Sequence, residues 1–116
     1  MKISLIGSQI ENDFRKGLKA SLGLQDFEEL HASIEARGLL PEETVMLEYL
    51  PEQAEDIYTL LSKPDNILVI EVERATRLVI EESQSNLKTY LHGKSKRQQI
   101  KVLVALEVLG LPPIVV

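Results

Sequence analysis

The stretch PDNILVIEVER, residues 64–74, holds three acids at positions where they could do chemistry. Asp65 follows a proline, and Glu71 and Glu73 lie two residues apart at the end of an apolar run. Residues two apart on a strand point to the same face, so the two glutamates could share a divalent ion. Two acids and a nearby lysine are the pattern of nucleases that hydrolyse a phosphodiester with a metal ion and a water. Asp65, Glu71 and Glu73 are therefore the catalytic candidates, and a metal-dependent phosphodiesterase is one function to weigh.

The alternative is that these carboxylates form a solvated strand end. Only five residues separate Asp65 from Glu71, which leaves little room for the hairpin of the nuclease pattern, and Glu73 stands in place of the lysine. Like charges so close repel each other unless an ion lies between them. We therefore expect no metal and no cofactor, unless the three carboxylates lie within about 5 Å of each other around a pocket.

A second group of candidates consists of bases. Residues 83–106 contain five Lys or Arg and no acid, whereas residues 1–82 contain 17 acids and 8 bases, in a chain of net charge −5. Such a block predicts a partner with phosphate groups or an acidic protein face. The free amides at a helix start also attract anions, and Ser95 marks such a start. The competing interpretation is that the bases face the acidic helices of their own fold. The predicted anion-binding residues are Lys88, Lys94, Ser95, Lys96, Arg97 and Lys101.

Capping patterns and a proline predict the helices that would position these residues. SQIE at residues 8–11 and SKRQ at residues 95–98 are capping boxes, and DFEE at residues 26–29 repeats the pattern. Pro51, with acids in the turn after it, is typical of a helix start. Glycines follow three of these segments as helix stops. We expect helices over residues 9–22, 27–37, 51–61 and 96–109.

Four short runs rich in branched apolar residues predict strands. They are KISLI, TVMLEY, NILVIEV and PIVV, and helical patterns separate them. The strands of a parallel sheet covered on both faces have this character. We expect a single three-layer α/β domain with about four mostly parallel strands flanked by helices. The alternative is an α+β fold with a hairpin over residues 67–81, because residues 74–83 suit either an antiparallel strand or a helix.

A parallel sheet would also define where a ligand binds. Ligands of such sheets lie at the carboxyl ends of the strands. The same architecture predicts that residues 114–116 form a buried strand, because exposing them would forgo roughly 4–6 kcal/mol of burial. The predicted pocket at the sheet edge is lined by Gly7, Ser8, Tyr49, Glu71 and Glu73.

Parts of the chain resemble the receiver domains of response regulators. KISLIGSQIENDFRKGLKASL is similar to their first strand and helix, KPDNILVIEV to the strand that ends in the phosphate-accepting aspartate, and LPPIVV to their fourth strand. The resemblance implies a regulatory or docking role. Receivers hold a magnesium ion with a pair of acids after the first strand, where this chain has Gly7 and Ser8, and the acceptor position falls on Glu71, one residue off. It therefore implies a receiver-like shape without phosphotransfer chemistry.

Composition narrows the function classes. A chain of 116 residues that is 44% apolar suits one domain with one core, residues 1–116. The absence of cysteine excludes disulfides, thiolate zinc sites and cysteine nucleophiles. No run approaches a membrane span and no signal-peptide pattern is present, so we expect a cytoplasmic protein that does not bind membranes. With 4% aromatic residues and no tryptophan, the chain lacks a stacking platform for bases.

These observations favour a binding function over a catalytic one. We expect a small regulatory or protein-interaction module that binds another protein, or itself as a homodimer. The alternative is a binder of a phosphate ligand or of nucleic acid through the basic residues 88–101.

Overall fold

A computed structural model of the chain describes residues 4–114. One short 3-10 turn, Pro41–Glu43, precedes the first strand of this part of the chain. Its helices are α1 (Gln9–Ser21), α2 (Glu28–Glu35), α3 (Leu87–Leu91) and α4 (Lys96–Val108), and its strands are β1 (Thr44–Pro51), β2 (Glu55–Ser62), β3 (Asn66–Glu73) and β4 (Val79–Asn86). Two helices therefore precede the strands and two follow them.

The strands form one antiparallel sheet in the order β1-β2-β3-β4. The expected three-layer α/β fold with mostly parallel strands is therefore wrong, and the arrangement is α+β. A parallel pair needs a crossover of a dozen or more residues. Here three residues join β1 to β2, three join β2 to β3, and five join β3 to β4. The hairpin alternative for residues 67–81 describes the β3–β4 pair, in which Glu71 lies opposite Glu81.

The end of β1, the β1–β2 turn and most of β2 occupy residues 51–61, for which Pro51 predicted a helix. Leu60 is buried on one face of the sheet and Leu61 on the other. Because both faces are covered, apolar residues follow each other without the alternation of a half-exposed strand. The helix prediction was wrong because Pro51 and the acids after it end β1, form the turn and begin β2, whereas the apolar residues that follow suit a strand covered on both faces.

The two terminal runs do not join the sheet within the described residues. Residues 4–6 of the expected strand KISLI are not in a strand, and residues 1–3 lie outside the described part. Ile114 packs half-buried on the core without strand geometry, and residues 115–116 also lie outside the described part. The expected buried strand over residues 114–116 is therefore not present at Ile114.

The capping boxes located two helix starts correctly. The Ser8 hydroxyl accepts the Glu11 amide at 3.3 Å at the start of α1. Ser95 and Gln98 form a reciprocal capping box at the start of α4. Helix α2 begins after Phe27 without a side-chain cap. Within residues 4–114, every helix is too short or too polar to cross a membrane.

The sheet separates two hydrophobic cores. Its first face packs against α1, α3 and α4, and its second face packs against α2 and the loop before it. The buried sheet residues of the first face are Val45, Leu47, Leu61 and Ile67. Those of the second face are Tyr58, Leu60, Leu68, Ile70 and Val72.

Burial on the second face predicts a contrast between two leucines. Leu68→Ala should lower the free energy of unfolding by about 2–5 kcal/mol, because it opens a cavity between β3 and α2. Leu78→Ala, in the β3–β4 turn with 64% of its surface exposed, should change it by less than about 0.5 kcal/mol. Urea unfolding followed by circular dichroism measures both values. Equal effects would contradict the burial of β3 under α2.

Candidate functional site

The predicted anion-binding residues lie along α3, the α3–α4 turn and α4. Lys88 and Lys96 are exposed, and Lys101 lies one turn along α4 from Arg97. Residues four apart on a helix share a side, and both Arg97 and Lys101 reach Phe14 of α1. We call the five bases Lys88, Lys94, Lys96, Arg97 and Lys101 the basic surface.

Aromatic rings hold three of these cations in place. The Lys94 ammonium lies 4.5 Å from the centre of the Tyr90 ring. The Arg97 guanidinium carbon and the Lys101 ammonium lie 5.2 and 5.6 Å from the centre of the Phe14 ring. Such contacts contribute about 0.5–1 kcal/mol at exposed sites. They fix the positions of these three charges.

No carboxylate of residues 4–114 lies within 4.0 Å of a side-chain nitrogen of the basic surface. The other arginines in this part of the chain do pair with acids. The pairs are Arg15 with Glu107, Arg37 with Glu82, Arg74 with Asp56, and Arg77 with both Asp56 and Glu29. The interpretation that the basic segment complements the protein's own acidic helices therefore finds no ion pair to support it.

A cleft of about 270 Å³ opens between α1 and β1, beside the basic surface. Phe14 and Gly17 line it from α1, Met46 and Glu48 line it from β1, and Lys101 reaches it from α4. A Cβ added at Gly17 would meet no atom within 4 Å. The missing side chain at this position helps to keep the cleft open.

Glu48 ties the basic surface to the sheet. Its carboxylate accepts the Tyr90 hydroxyl at 2.6 Å and the Gln98 side-chain amide at 3.3 Å. Burial and this hydrogen bond raise the pKa of Tyr90 far above its usual value, so the hydroxyl stays protonated as a donor. Burial lowers the pKa of Lys101, while the charge of Glu48 acts in the opposite direction. The hydrogen bonds of Glu48 therefore link the residues around these cations to strand β1.

The hydroxyl and the amide of Ser95 are already hydrogen-bonded within helix α4. Its hydroxyl accepts the Gln98 amide at 3.2 Å, and its amide donates to the Gln98 side-chain oxygen at 3.0 Å. Two groups that an anion would need are therefore already bonded. The side chains of the bases, and not the capped helix start, are the groups of this segment that remain open to a ligand.

The three catalytic candidates do not come together. Asp65 lies in the β2–β3 turn, whereas Glu71 and Glu73 lie at the far end of β3. Glu71 lies six residue steps beyond Asp65 along extended backbone, which is about 20 Å. Among residues 4–114, no three His, Asp or Glu side chains are arranged to hold a metal ion. Asp65, Glu71 and Glu73 therefore do not lie close enough together to bind one ion.

Glu71 instead faces Glu81 across the β3–β4 ladder. The hydrogen bond between the two carboxyls is the largest cause of the raised pKa of Glu71, followed by burial and by repulsion from Glu81 and Glu55. Glu73 in turn lies opposite Glu55 of β2. This end of the sheet therefore presents an acidic row on the first face, opposite in charge to the basic surface.

The predicted sheet-edge pocket rested on parallel strands and does not form. Tyr49 stacks on Tyr58, on the second face, whereas Glu71 and Glu73 point to the first face. The Gly7 amide donates to the Glu11 carboxylate at 2.9 Å, at the start of α1. Gly7 and Ser8 therefore belong to a helix cap and not to a pocket shared with Glu71 and Glu73.

Sequence reasoning missed a polar cluster centred on Asp56, which is 4% exposed. The carboxylate accepts the Tyr49 hydroxyl at 2.7 Å, Arg74 at 3.0 Å and Arg77 at 3.2 Å. Arg74 also donates to the backbone carbonyls of Glu52 and Glu55, on either side of the β1–β2 turn. The cluster fastens two hairpin turns together at one end of the sheet. In the sequence, Asp56 fell within a predicted helix, and no local pattern indicated that it would bind Arg74 and Arg77.

No protein-family model matches this chain, and neither a curated protein nor a solved structure shows significant similarity to it.

The Asp56 cluster predicts a pH dependence. Hydrogen bonds from Tyr49 and Arg74 lower the pKa of Asp56 below its usual value of 3.8. An acid with a depressed folded-state pKa stabilises the fold above its unfolded pKa, and that contribution fades as the pH falls through the folded value. Asp56→Asn should therefore lower the melting temperature most at pH 7. The gap to the wild type should narrow below about pH 4.

Asp65→Asn is the matched control, because Asp65 is an exposed aspartate of the β2–β3 turn. It should leave the melting temperature nearly unchanged at both pH values. Thermal unfolding followed by circular dichroism at pH 3 and pH 7 gives the comparison. A loss for Asp56→Asn that is the same at both pH values would show that shape, and not charge, makes Asp56 stabilising.

Proposed function

We propose that this protein is a small non-catalytic binding module that docks an acidic segment of another protein on the basic surface. The observation that carries the proposal is a set of preplaced cations without carboxylate partners among residues 4–114, beside an open cleft. Charges held ready in this way steer an oppositely charged partner and speed its association. A regulatory or docking role follows, and a chain without cysteine fits the cytoplasmic location that we also propose.

The cleft would receive an apolar side chain of the partner. Its volume of about 270 Å³ lies below the range of about 300–1,000 Å³ that is usual for small-molecule pockets. Phe14 and Met46 give it an apolar lining, and Lys101 lies at its side. An apolar side chain of the partner would fill it while neighbouring carboxylates contact the bases.

The aromatic residues favour a protein over nucleic acid. Single-stranded nucleic acid binds by stacking its bases on exposed aromatic rings. Here Lys94 covers the ring of Tyr90, and Arg97 and Lys101 cover the ring of Phe14. These two rings are therefore engaged by the protein's own cations. A phosphate ligand or an RNA would be bound by charge alone.

Neutralising the basic surface should abolish most of this binding. The combined change Lys94→Gln, Lys96→Gln and Arg97→Gln should weaken binding of fluorescent poly-L-glutamate about tenfold, since each exposed ion pair contributes about 0.2–1 kcal/mol. Wild-type binding should fall as salt is raised, because screening acts over about 8–10 Å. Fluorescence anisotropy at low and moderate salt measures both effects.

The control removes the same charge elsewhere. Lys16→Gln, Lys19→Gln and Lys63→Gln change three bases that also lack a carboxylate partner within residues 4–114. This control variant should bind and melt nearly as the wild type does. The variant of Lys94, Lys96 and Arg97 should lose no more than the contribution of its two cation–π contacts, about 0.5–1 kcal/mol each. Absence of wild-type binding at low salt would overturn the proposal. Tighter binding of RNA or heparin than of poly-L-glutamate would favour the phosphate alternative.

Filling the cleft should remove only the apolar part of the affinity. A peptide of glutamates around one leucine should bind wild type more tightly than an all-glutamate peptide of the same length. Gly17→Leu places a side chain in the cleft at a helical position with free space. It should bind both peptides equally and should melt no lower than wild type, because leucine favours a helix over glycine. A preference for the leucine peptide in Gly17→Leu would show that the cleft is not used.

A further inference from the structure

The two edges of the sheet differ in how they are closed. At β1, the Met46 amide donates to the Ser21 hydroxyl at 3.0 Å, and the Thr44 carbonyl accepts the Gly23 amide at 3.1 Å. The outer edge of β4 has no backbone partner among residues 4–114. Its sequence VIEESQSN contains neither lysine nor proline, two residues with which proteins commonly protect an edge.

The ladder shows which backbone groups of β4 point outward. The Leu87 amide donates to the Asp65 carbonyl at 2.8 Å, one step beyond the opposed residues Asn66 and Asn86. That pair is therefore of the non-hydrogen-bonded kind, and the two kinds alternate along an antiparallel ladder. Because Asn86 is in a non-hydrogen-bonded pair, Ser85 and Ser83 are in hydrogen-bonded pairs with β3. Glu82 and Gln84 direct their amides and carbonyls away from the sheet.

These outward groups fit a second copy of the same strand. If a two-fold axis passes beside Ser83, Glu82 of one copy lies opposite Gln84 of the other, and the pair exchanges two backbone hydrogen bonds. The symmetry provides the pair twice, so four such bonds form. On the first face, Glu81 of one copy lies opposite Ser85 of the other. In this register no acid lies directly opposite another acid. The pairing therefore avoids the repulsion between directly opposed like charges.

The charge at the centre of this edge is already compensated. The Glu82 carboxylate accepts Arg37 at 2.8 Å and the Ser33 hydroxyl at 2.9 Å, both from the α2 side. Arg37 also donates to the Gln84 side chain at 2.9 Å. The side chains beside the outward backbone groups are therefore held on the second face. They leave the edge open to an approaching strand.

We propose that two copies of this chain pair antiparallel through β4, centred on Ser83, to form a continuous eight-stranded sheet. Closed two-fold dimers are the commonest protein oligomers, and pairing uses the same edge on both copies. The pairing extends the hydrogen-bond ladder across the two copies. It is independent of the acidic partner proposed above, since the basic surface lies on α3 and α4 and not on this edge.

Cysteine pairing tests the register directly, because the chain has no cysteine of its own. Opposed residues of a non-hydrogen-bonded pair have Cα atoms about 4.5 Å apart, within the range that a disulfide spans. Ser83→Cys should therefore give a covalent dimer on mild oxidation. Ser85→Cys is the matched control, because its copy lies about 13 Å further along the strand. Equal cross-linking of the two variants would overturn the register.

Lysine substitutions test the same pairing without a covalent bond. Ser83→Lys sets two lysines against each other at the axis and should shift the dimer dissociation constant upward about tenfold or more. Ser85→Lys places each lysine opposite Glu81 of the other copy and should strengthen the dimer. Sedimentation of the full chain from about 1 μM to about 1 mM measures the change, since weak complexes dissociate in this range. A wild-type protein that stays monomeric throughout, or a dimer unaffected by Ser83→Lys, would overturn the proposal.

Discussion

The fold depends on burying the central hairpin, β2 and β3, on both faces at once. Leu60 and Leu68 lie opposite each other on the second face, while Leu61 and Ile67 lie opposite each other on the first. Each layer of helices covers one of these rows. A sheet with two apolar faces loses the hydrophobic driving force of one face if either layer is removed. The helices before and after the strands are therefore both needed to stabilise the sheet.

This constraint also positions the candidate site. Helix α4 is buried along Val102–Leu106 against the first face, which leaves its first turn at the margin of the core. Glu48, displaced by the irregularity in β1 between Met46 and Glu48, meets this margin and accepts hydrogen bonds from Tyr90 and Gln98. The cations of the basic surface consequently lie next to residues that the core and Glu48 hold in place, although each cation is exposed or only half-buried.

Charged groups divide into two kinds in this molecule. Asp56 is buried with donors on every side, and its pKa is lowered because the ionised form is the bonded one. Glu71 faces another carboxyl, and its pKa is raised first by the hydrogen bond it shares with Glu81, then by burial and by repulsion between the ionised groups. The first arrangement stabilises the hairpin turns. The second leaves an acidic row, so the first face carries opposite charges on the sheet and on the α3–α4 turn.

Local chemistry determined what the sequence alone predicted correctly. The starts of α1 and α4 follow from capping residues within four positions of each other, and β1 and β3 follow from short branched apolar runs. Strand direction, the identity of β2 and the Asp56 cluster depend on partners brought together by the fold, so no local pattern encodes them. The bases from Lys88 to Lys101 were visible as a block in the sequence. Tyr90 lies within this block, whereas only the tertiary structure placed Phe14 beneath Arg97 and Lys101, because α1 and α4 are far apart in the sequence.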